Sequence, residues 1–67
     1  MERTYKRIEL IGVSENGYEE AIQNAVSKAS QSLHKLDWFE VKEQRGKIVS
    51  GKVVEFQVVL KVAFKLD

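Results

Sequence analysis

The sequence predicts an α+β domain of the order β-α-β-β, in which a three-stranded antiparallel sheet (order 1-3-2) packs on one amphipathic helix. Three segments alternate between apolar and polar residues, as half-buried strands do. After the first of them, apolar residues recur every three or four positions, which is the spacing of a helix. Glycines separate these blocks and no proline or linker interrupts them, so residues 1–67 form a single predicted domain.

The first predicted strand covers residues 4–13. Ile8 and Leu10 fall on one face of this segment, whereas Tyr5 and Ile11 fall on the other. One face is therefore expected to pack on the core. A glycine-bounded turn follows the strand and leads into the helix.

An alanine-rich helix is predicted next. Ser14 is expected to cap its N-terminus, and glutamates follow where the helix dipole favours negative charge. The apolar positions that define the buried stripe are Tyr18, Ala21, Ile22, Ala25, Val26, Ala29, Leu33 and Leu36. This stripe corresponds to roughly five turns. Its alanines allow the helix to approach a sheet closely.

Two further strands are predicted over residues 37–45 and 53–66, joined by a turn over 46–51. Strict alternation places Phe39 and Glu43 on one face of the second strand and Trp38 on the other. The third strand has the longest apolar face, made by Val54, Phe56, Val58, Leu60, Val62, Phe64 and Leu66. Because the helix returns the chain parallel to its first strand, the third strand runs antiparallel to both and is expected in the middle.

The size of the chain predicts self-association. A 67-residue chain makes a thin core, and it has no cysteine that could form a disulfide. A strand over residues 53–66 would span about 45 Å, whereas a compact domain of this length has a radius of gyration near 11 Å. The strand must therefore bend sharply or pair with neighbouring copies, and we favour the second alternative.

The composition of the chain argues against several classes of function. The net charge is +1 with both signs interspersed, so no basic patch indicates nucleic acid. No apolar run is long enough to cross a membrane, no secretory signal pattern is evident, and we expect a cytoplasmic protein. The sequence lacks the nucleophile motifs of covalent catalysis, and His34 is expected to be solvated near the helix end. We therefore predict that the protein is not an enzyme.

Trp38 and Gln57 are the candidates for a binding site. Alternation turns Trp38, the only tryptophan, away from the predicted core. It could anchor a subunit interface, or it could offer a stacking surface to a planar ring. Gln57 could read the edge of such a ring or be solvated. Arg45 and Lys47 could meet phosphate or simply be surface residues.

These residues resemble those of the dodecins, which are small flavin-binding proteins. The resemblance covers residues 6–66 and rests on the element order, on Leu-Asp-Trp-Phe-Glu-Val-Lys-Glu at 36–43 with Arg-Gly at 45–46, and on Phe-Gln-Val-Val-Leu-Lys-Val-Ala-Phe at 56–64. It implies a hollow homododecamer, with helices outside and sheets inside, that holds pairs of flavins between subunits.

The resemblance also implies residue roles. Trp38 would stack on the isoalloxazine ring of FMN, riboflavin or FAD, and Gln57 would bond its pyrimidine edge. Arg45 would lie near the ligand. Coenzyme A could be a further ligand, with its phosphates contacted by basic residues, among which Lys65 is a weaker candidate. The implied function is flavin storage, sequestration and protection from light. The implied macromolecular partners are further copies of this chain, and neither nucleic acid nor a membrane is expected. A structural shell or interaction module remains the alternative, and an enzyme acting with bound flavin is the third.

Overall fold

The computed structural model describes residues 2–66 and confirms the predicted architecture. Its elements are β1 (Thr4–Ser14), α1 (Tyr18–Ser30), β2 (Leu36–Val49) and β3 (Lys52–Leu66). The sheet order is β1-β3-β2, and both outer strands run antiparallel to β3. Within the described residues, no helix is long and apolar enough to cross a membrane.

The core lies between α1 and one side of the central strand. Val58, Leu60 and Val62 of β3 are almost completely buried there, and Ala21 and Ala25 of α1 pack against them. Because α1 lies over β1 and β3 rather than over β2, the half-buried second strand that alternation predicts is largely exposed. Phe39 pairs with Val62 yet remains 47% exposed.

Gly12 lies where α1 approaches the sheet closely. A Cβ atom built on Gly12 would lie 2.0 Å from the carbonyl oxygen of Ala21 and 3.1 Å from the Cβ atom of Ala25. Only a residue without a side chain fits between β1 and this turn of the helix. Alanine on the helix and glycine on the strand therefore act together to set the distance between the two elements.

The predicted N-cap is wrong. Ser14 is the last residue of β1 and pairs with Phe56, so it cannot also begin the helix. The cap position is Gly17, which contributes no side-chain hydrogen bond. The Ser14 hydroxyl instead donates to the Glu20 carboxylate at 2.7 Å and accepts the backbone N–H of Asn16 at 2.9 Å, which joins the strand end to the helix start.

The helix is shorter than predicted. It ends at Ser30, and a turn follows in which the Leu33 N–H still bonds the Ala29 carbonyl at 2.9 Å. Lys35 then adopts a positive φ of 63° that turns the chain into β2. Leu36 packs on the core from a strand, so its apolar character reflects burial and not a helical position.

The hairpin between β2 and β3 is longer than predicted. The loop consists of only Ser50 and Gly51, whose φ angles are 51° and 77°. Two consecutive positive φ values are typical of the tight turns that match the twist of paired strands. Gly46, predicted as the start of the turn, lies inside β2 opposite Phe56.

This hairpin makes the molecule elongated. The described chain measures 53 × 20 × 13 Å and has a radius of gyration of 13.9 Å, against about 11 Å for a compact domain of this length. Residues 47–55, which we call the arm, extend beyond β1 as two strands. Ile48 and Val53 face each other on the arm and are 69% and 56% exposed. A two-stranded ribbon with exposed apolar side chains is marginal in water by itself.

Candidate ligand-binding site

The candidate site lies on the side of the sheet opposite α1, which we call the open face. Successive strand residues point to opposite sides. Since Val58, Leu60 and Val62 face α1, the odd-numbered residues of β3 from Glu55 to Lys65 point to the open face. The residues that share the open face in the central part of the sheet include Tyr5, Arg7, Glu9, Ile11, Val13, Trp38, Glu40, Glu43, Arg45, Gln57, Val59, Lys61, Ala63 and Lys65.

A bulge in β2 corrects one sequence prediction. Val41 pairs with Leu60 whereas Glu43 pairs with Val59, so Lys42 is an extra residue in the ladder. An extra residue reverses which side of the sheet the following side chains face. Glu43 therefore lies on the open face, not beside Phe39 as strict alternation predicts.

Trp38 lies above the central strand. It pairs with Ala63, whose short side chain is completely buried although no helix covers this side. The Tyr5 ring, which comes from β1, meets the indole with a centroid distance of 4.7 Å and an angle of 52° between the ring planes. Trp38 remains 44% exposed, so part of the indole is available to another molecule.

Tyr5 is held in this place by Asp37. The Tyr5 hydroxyl donates to the Asp37 carboxylate at 3.0 Å. That bond raises the pKa of Tyr5, because ionisation would destroy it, and partial desolvation acts in the same direction. The phenol is therefore a hydrogen-bond donor over the whole neutral pH range.

Gln57 and Arg45 are brought together at the other end of the open face. The Gln57 Oε1 accepts from the Arg45 Nε at 2.7 Å, and its Nε2 donates to Glu55 at 2.6 Å. A guanidinium nitrogen of Arg45 also contacts Glu43 at 2.7 Å. These bonds use one N–H and one acceptor site of the Gln57 amide, so its second N–H and second lone pair can still meet the edge of a ligand.

The structure does not bring Trp38 and Gln57 together within one chain. Their ladder positions, Ala63 and Gln57, are six residues apart on β3, which corresponds to about 20 Å. Between them, salt bridges cross the central strand from Arg7 to Glu40 at 2.6 Å and from Lys42 to Glu9 at 3.1 Å. A single planar ring could therefore contact both residues only if a second chain supplied one of them.

The remaining candidates occupy separate positions. Lys65 lies at the Trp38 end of the open face, opposite Tyr5. Lys47 lies on the arm opposite Glu55. His34 is exposed in the turn after α1.

The sequence analysis identified neither the contact of the Tyr5 ring with Trp38 nor the hydrogen bond from Tyr5 to Asp37. Alternation together with the strand order already placed Tyr5 on the side that Trp38 faces, so this residue could have been found. The role of Asp37 could not have been found, because alternation places its side chain on the other side of the sheet from Trp38 and Tyr5. A register shift between Leu36 and Trp38 makes Asp37 an extra residue and frees its side chain.

Comparison with known proteins identifies the family. A sequence model described as dodecin matches residues 4–67. A dodecin from Thermus thermophilus is 54% identical over 67 residues, which are 100% of this chain and 97% of the relative. A crystal structure of a Thermus thermophilus protein has a TM-score of 0.93 at 53% identity, covering 98% of this chain and 97% of the other. The dodecin from Streptomyces davaonensis has a TM-score of 0.94 at 45% identity, covering 100% and 98%. The chain therefore belongs to the dodecin family.

Proposed function

We propose that the protein binds a flavin between subunits of a hollow homododecamer, where it stores the flavin and quenches its photochemistry without catalysing a reaction. FMN, riboflavin and FAD share the isoalloxazine ring that this role requires. Membership in the dodecin family supports the proposal. The observation that carries it is Trp38, the only tryptophan, which is 44% exposed on the open face.

Trp38 suits a planar, electron-poor ligand. An indole offers a large π surface, and aromatic stacking on a planar heterocycle contributes about 1–3 kcal/mol per ring. When bound, the flavin supplies the light-absorbing ring. An electron-rich indole in contact with that ring is a nearby electron donor, so quenching needs neither an acid nor a base. The role of this chain is to hold the indole in contact.

Gln57 and Arg45 would complete the proposed site from a neighbouring copy, whereas Lys65 lies at the Trp38 end of the open face. The Gln57 amide offers both a donor and an acceptor to the pyrimidine edge of the ring. Because Gln57 lies about 20 Å from Trp38 along β3, we assign the two contacts to different subunits. Arg45, at 2.7 Å from Gln57, would lie beside the ligand. Lys65 is a candidate for phosphate contacts, including those of coenzyme A as a further guest.

The exposed apolar surface supports assembly. The arm carries Ile48 and Val53, and the α1-facing side of β2 carries Phe39 and Val41, all of them at least 44% exposed. Large contiguous apolar patches on a small protein typically mark interaction surfaces. The number of copies, twelve, is carried over from the family.

The test is a titration of FMN with the purified protein, followed by flavin fluorescence. We expect strong quenching by the wild type and loss of most of it in Trp38→Ala, with affinity reduced about 5-fold to 150-fold. Trp38→Phe is the matched control, because it keeps a stacking ring but is a poorer electron donor; it should bind FMN and quench it less. Light scattering must show that each variant keeps the mass of the wild type. Undiminished quenching by Trp38→Ala would contradict the proposal.

A structural shell or interaction module is the second candidate. It is favoured by the number of large apolar side chains left exposed: Ile11, Val13, Trp38, Phe39, Val41, Ile48, Val49, Val53, Val54 and Leu66. In that case Trp38 is an interface anchor and any flavin binding is incidental. Trp38→Ala would then dissociate the assembly, seen by light scattering, under conditions that leave FMN affinity unchanged.

A further inference from the structure

Two aromatic side chains from the outer strands meet above the central strand. Tyr5 of β1 and Trp38 of β2 lie on either side of β3, and their ring centroids are 4.7 Å apart. They can meet because the residue beneath is Ala63, which is completely buried on a side that α1 does not cover. A longer side chain at this position would stand between the rings.

The Tyr5 ring is itself restrained from several directions. Its hydroxyl bonds the carboxylate of Asp37, the residue directly before Trp38, at 3.0 Å. The bulge that contains Asp37 allows this carboxylate to reach Tyr5. The guanidinium carbon of Arg3 lies 5.8 Å from the centroid of the Tyr5 ring, within the range of a cation–π contact. The ring is thus tied to the same strand segment as the indole that it contacts.

We propose that Tyr5, anchored by Asp37, is a positioning residue that holds the Trp38 indole in one orientation for a planar ligand. This inference rests on the proposed function. An indole on an exposed strand position can turn about two side-chain bonds. A ligand that stacks on it must otherwise order it, and ordering a side chain weakens binding. Tyr5 removes that freedom before the ligand arrives.

The first test needs no ligand. Since Trp38 is the only tryptophan, all indole fluorescence comes from it. We would measure the decay of its fluorescence anisotropy in the ligand-free assembly. Tyr5→Leu, which keeps an apolar side chain but removes the ring, should add a fast component from local motion of the indole. Tyr5→Phe retains the ring and should restore most of the wild-type decay.

The second test measures FMN affinity by fluorescence titration of the same variants. Aromatic pairs contribute about 0.5–1.5 kcal/mol beyond simple burial. If that interaction orders the indole, Tyr5→Leu should weaken FMN binding between about twofold and tenfold. Tyr5→Phe and Asp37→Asn, which keep the ring and lose or weaken the anchor, should fall between Tyr5→Leu and the wild type. Tyr18→Phe is the matched control, because it removes the other phenol of the chain, at the distant contact with Phe56.

The outcomes separate this proposal from the function on which it rests. If the wild type binds no FMN, the flavin proposal fails, and positioning for that ligand fails with it even when the anisotropy confirms the ring contact. If the wild type binds FMN through Trp38 but Tyr5→Leu shows unchanged indole motion or unchanged affinity, Tyr5 is not a positioning residue. Should Tyr5→Leu fail to assemble, Tyr5→Phe and Asp37→Asn decide the matter: wild-type anisotropy and affinity in both would overturn the anchor.

Discussion

Replacing Gly12 with alanine should separate α1 from the sheet. The added Cβ would lie 2.0 Å from the carbonyl oxygen of Ala21, and real Cβ contacts are essentially never shorter than 3.0 Å. The obstacle is backbone, which cannot turn aside as a flexible side chain can, so the helix must move by about 1 Å or more. Such a shift loosens the packing of Ala21 and Ala25 on the buried residues of β3.

The expected cost lies at the upper end of the range for overpacked cores, about 3 kcal/mol. That is comparable with the net stability that a core of this size provides, about 3–5 kcal/mol. For a domain this small, it corresponds to a fall in Tm of roughly 12–24 °C. Thermal unfolding followed by circular dichroism would measure it, at one protein concentration because assembly makes Tm concentration-dependent.

Two other glycines supply a graded control. A Cβ on Gly46 would meet the Glu55 carbonyl oxygen at 3.1 Å, and one on Gly17 would meet nothing within 4 Å. We therefore expect the loss in Tm to follow the order Gly12→Ala, then Gly46→Ala, then Gly17→Ala. A Gly12→Ala protein whose Tm matches that of Gly17→Ala would refute the close approach of α1 to β1.

Two further predictions concern acid stability and assembly. Hydrogen bonds from Ser14 and Asn16 hold the pKa of Glu20 below its ordinary value of 4.5, so this carboxylate stabilises the fold above that pH and the contribution is lost as pH falls through the lowered pKa. Glu20→Gln should therefore lower Tm near neutral pH and approach the wild type in acid. On the arm, Ile48→Lys combined with Val53→Lys should leave the chain folded, because both side chains are exposed, but should shift the mass seen by light scattering toward that of one chain.

Each of these experiments has a clear contrary result. For Glu20, a difference in Tm that stays constant from neutral to acid pH would show that its charge is not what stabilises the fold. For the arm, the control is Gln31→Lys, which adds a positive charge at the exposed C-terminal end of α1, where the helix dipole favours it. An assembly that survives both arm substitutions would show that copies meet through other surfaces.

The element order could be predicted because it depends on local periodicity. Burial of one side imposes an apolar repeat of two residues on a strand and of about 3.6 residues on a helix, and both repeats can be recognised in the sequence. Boundaries were harder to predict. Leu36 is partly buried as the first residue of β2, but its position in the chain also fits the apolar spacing of the helix. Gly46 is a residue type common in turns, yet it lies within β2.

The side on which Arg45 projects depends on the bulge at Lys42, which no alternation reveals, since a bulge arises from pairing with β3. The same dependence on pairing explains why Asp37 was missed. Gln57 lies on the open face as alternation indicates, but its bond with Arg45 joins residues 12 positions apart and follows from the register of the hairpin.

The amino-acid sequence alone determined that three strands and one helix form, that β3 is central, and that Trp38 faces away from the helix. Tertiary structure decided that Tyr5 contacts Trp38 and bonds Asp37, that Ala63 leaves room for the ring contact, and that Gln57 lies about 20 Å from Trp38 along β3. The physical reason is that periodicity records only whether a side chain is buried. Which side chains meet depends on strand register, and register is set by pairs of residues that are distant in the chain.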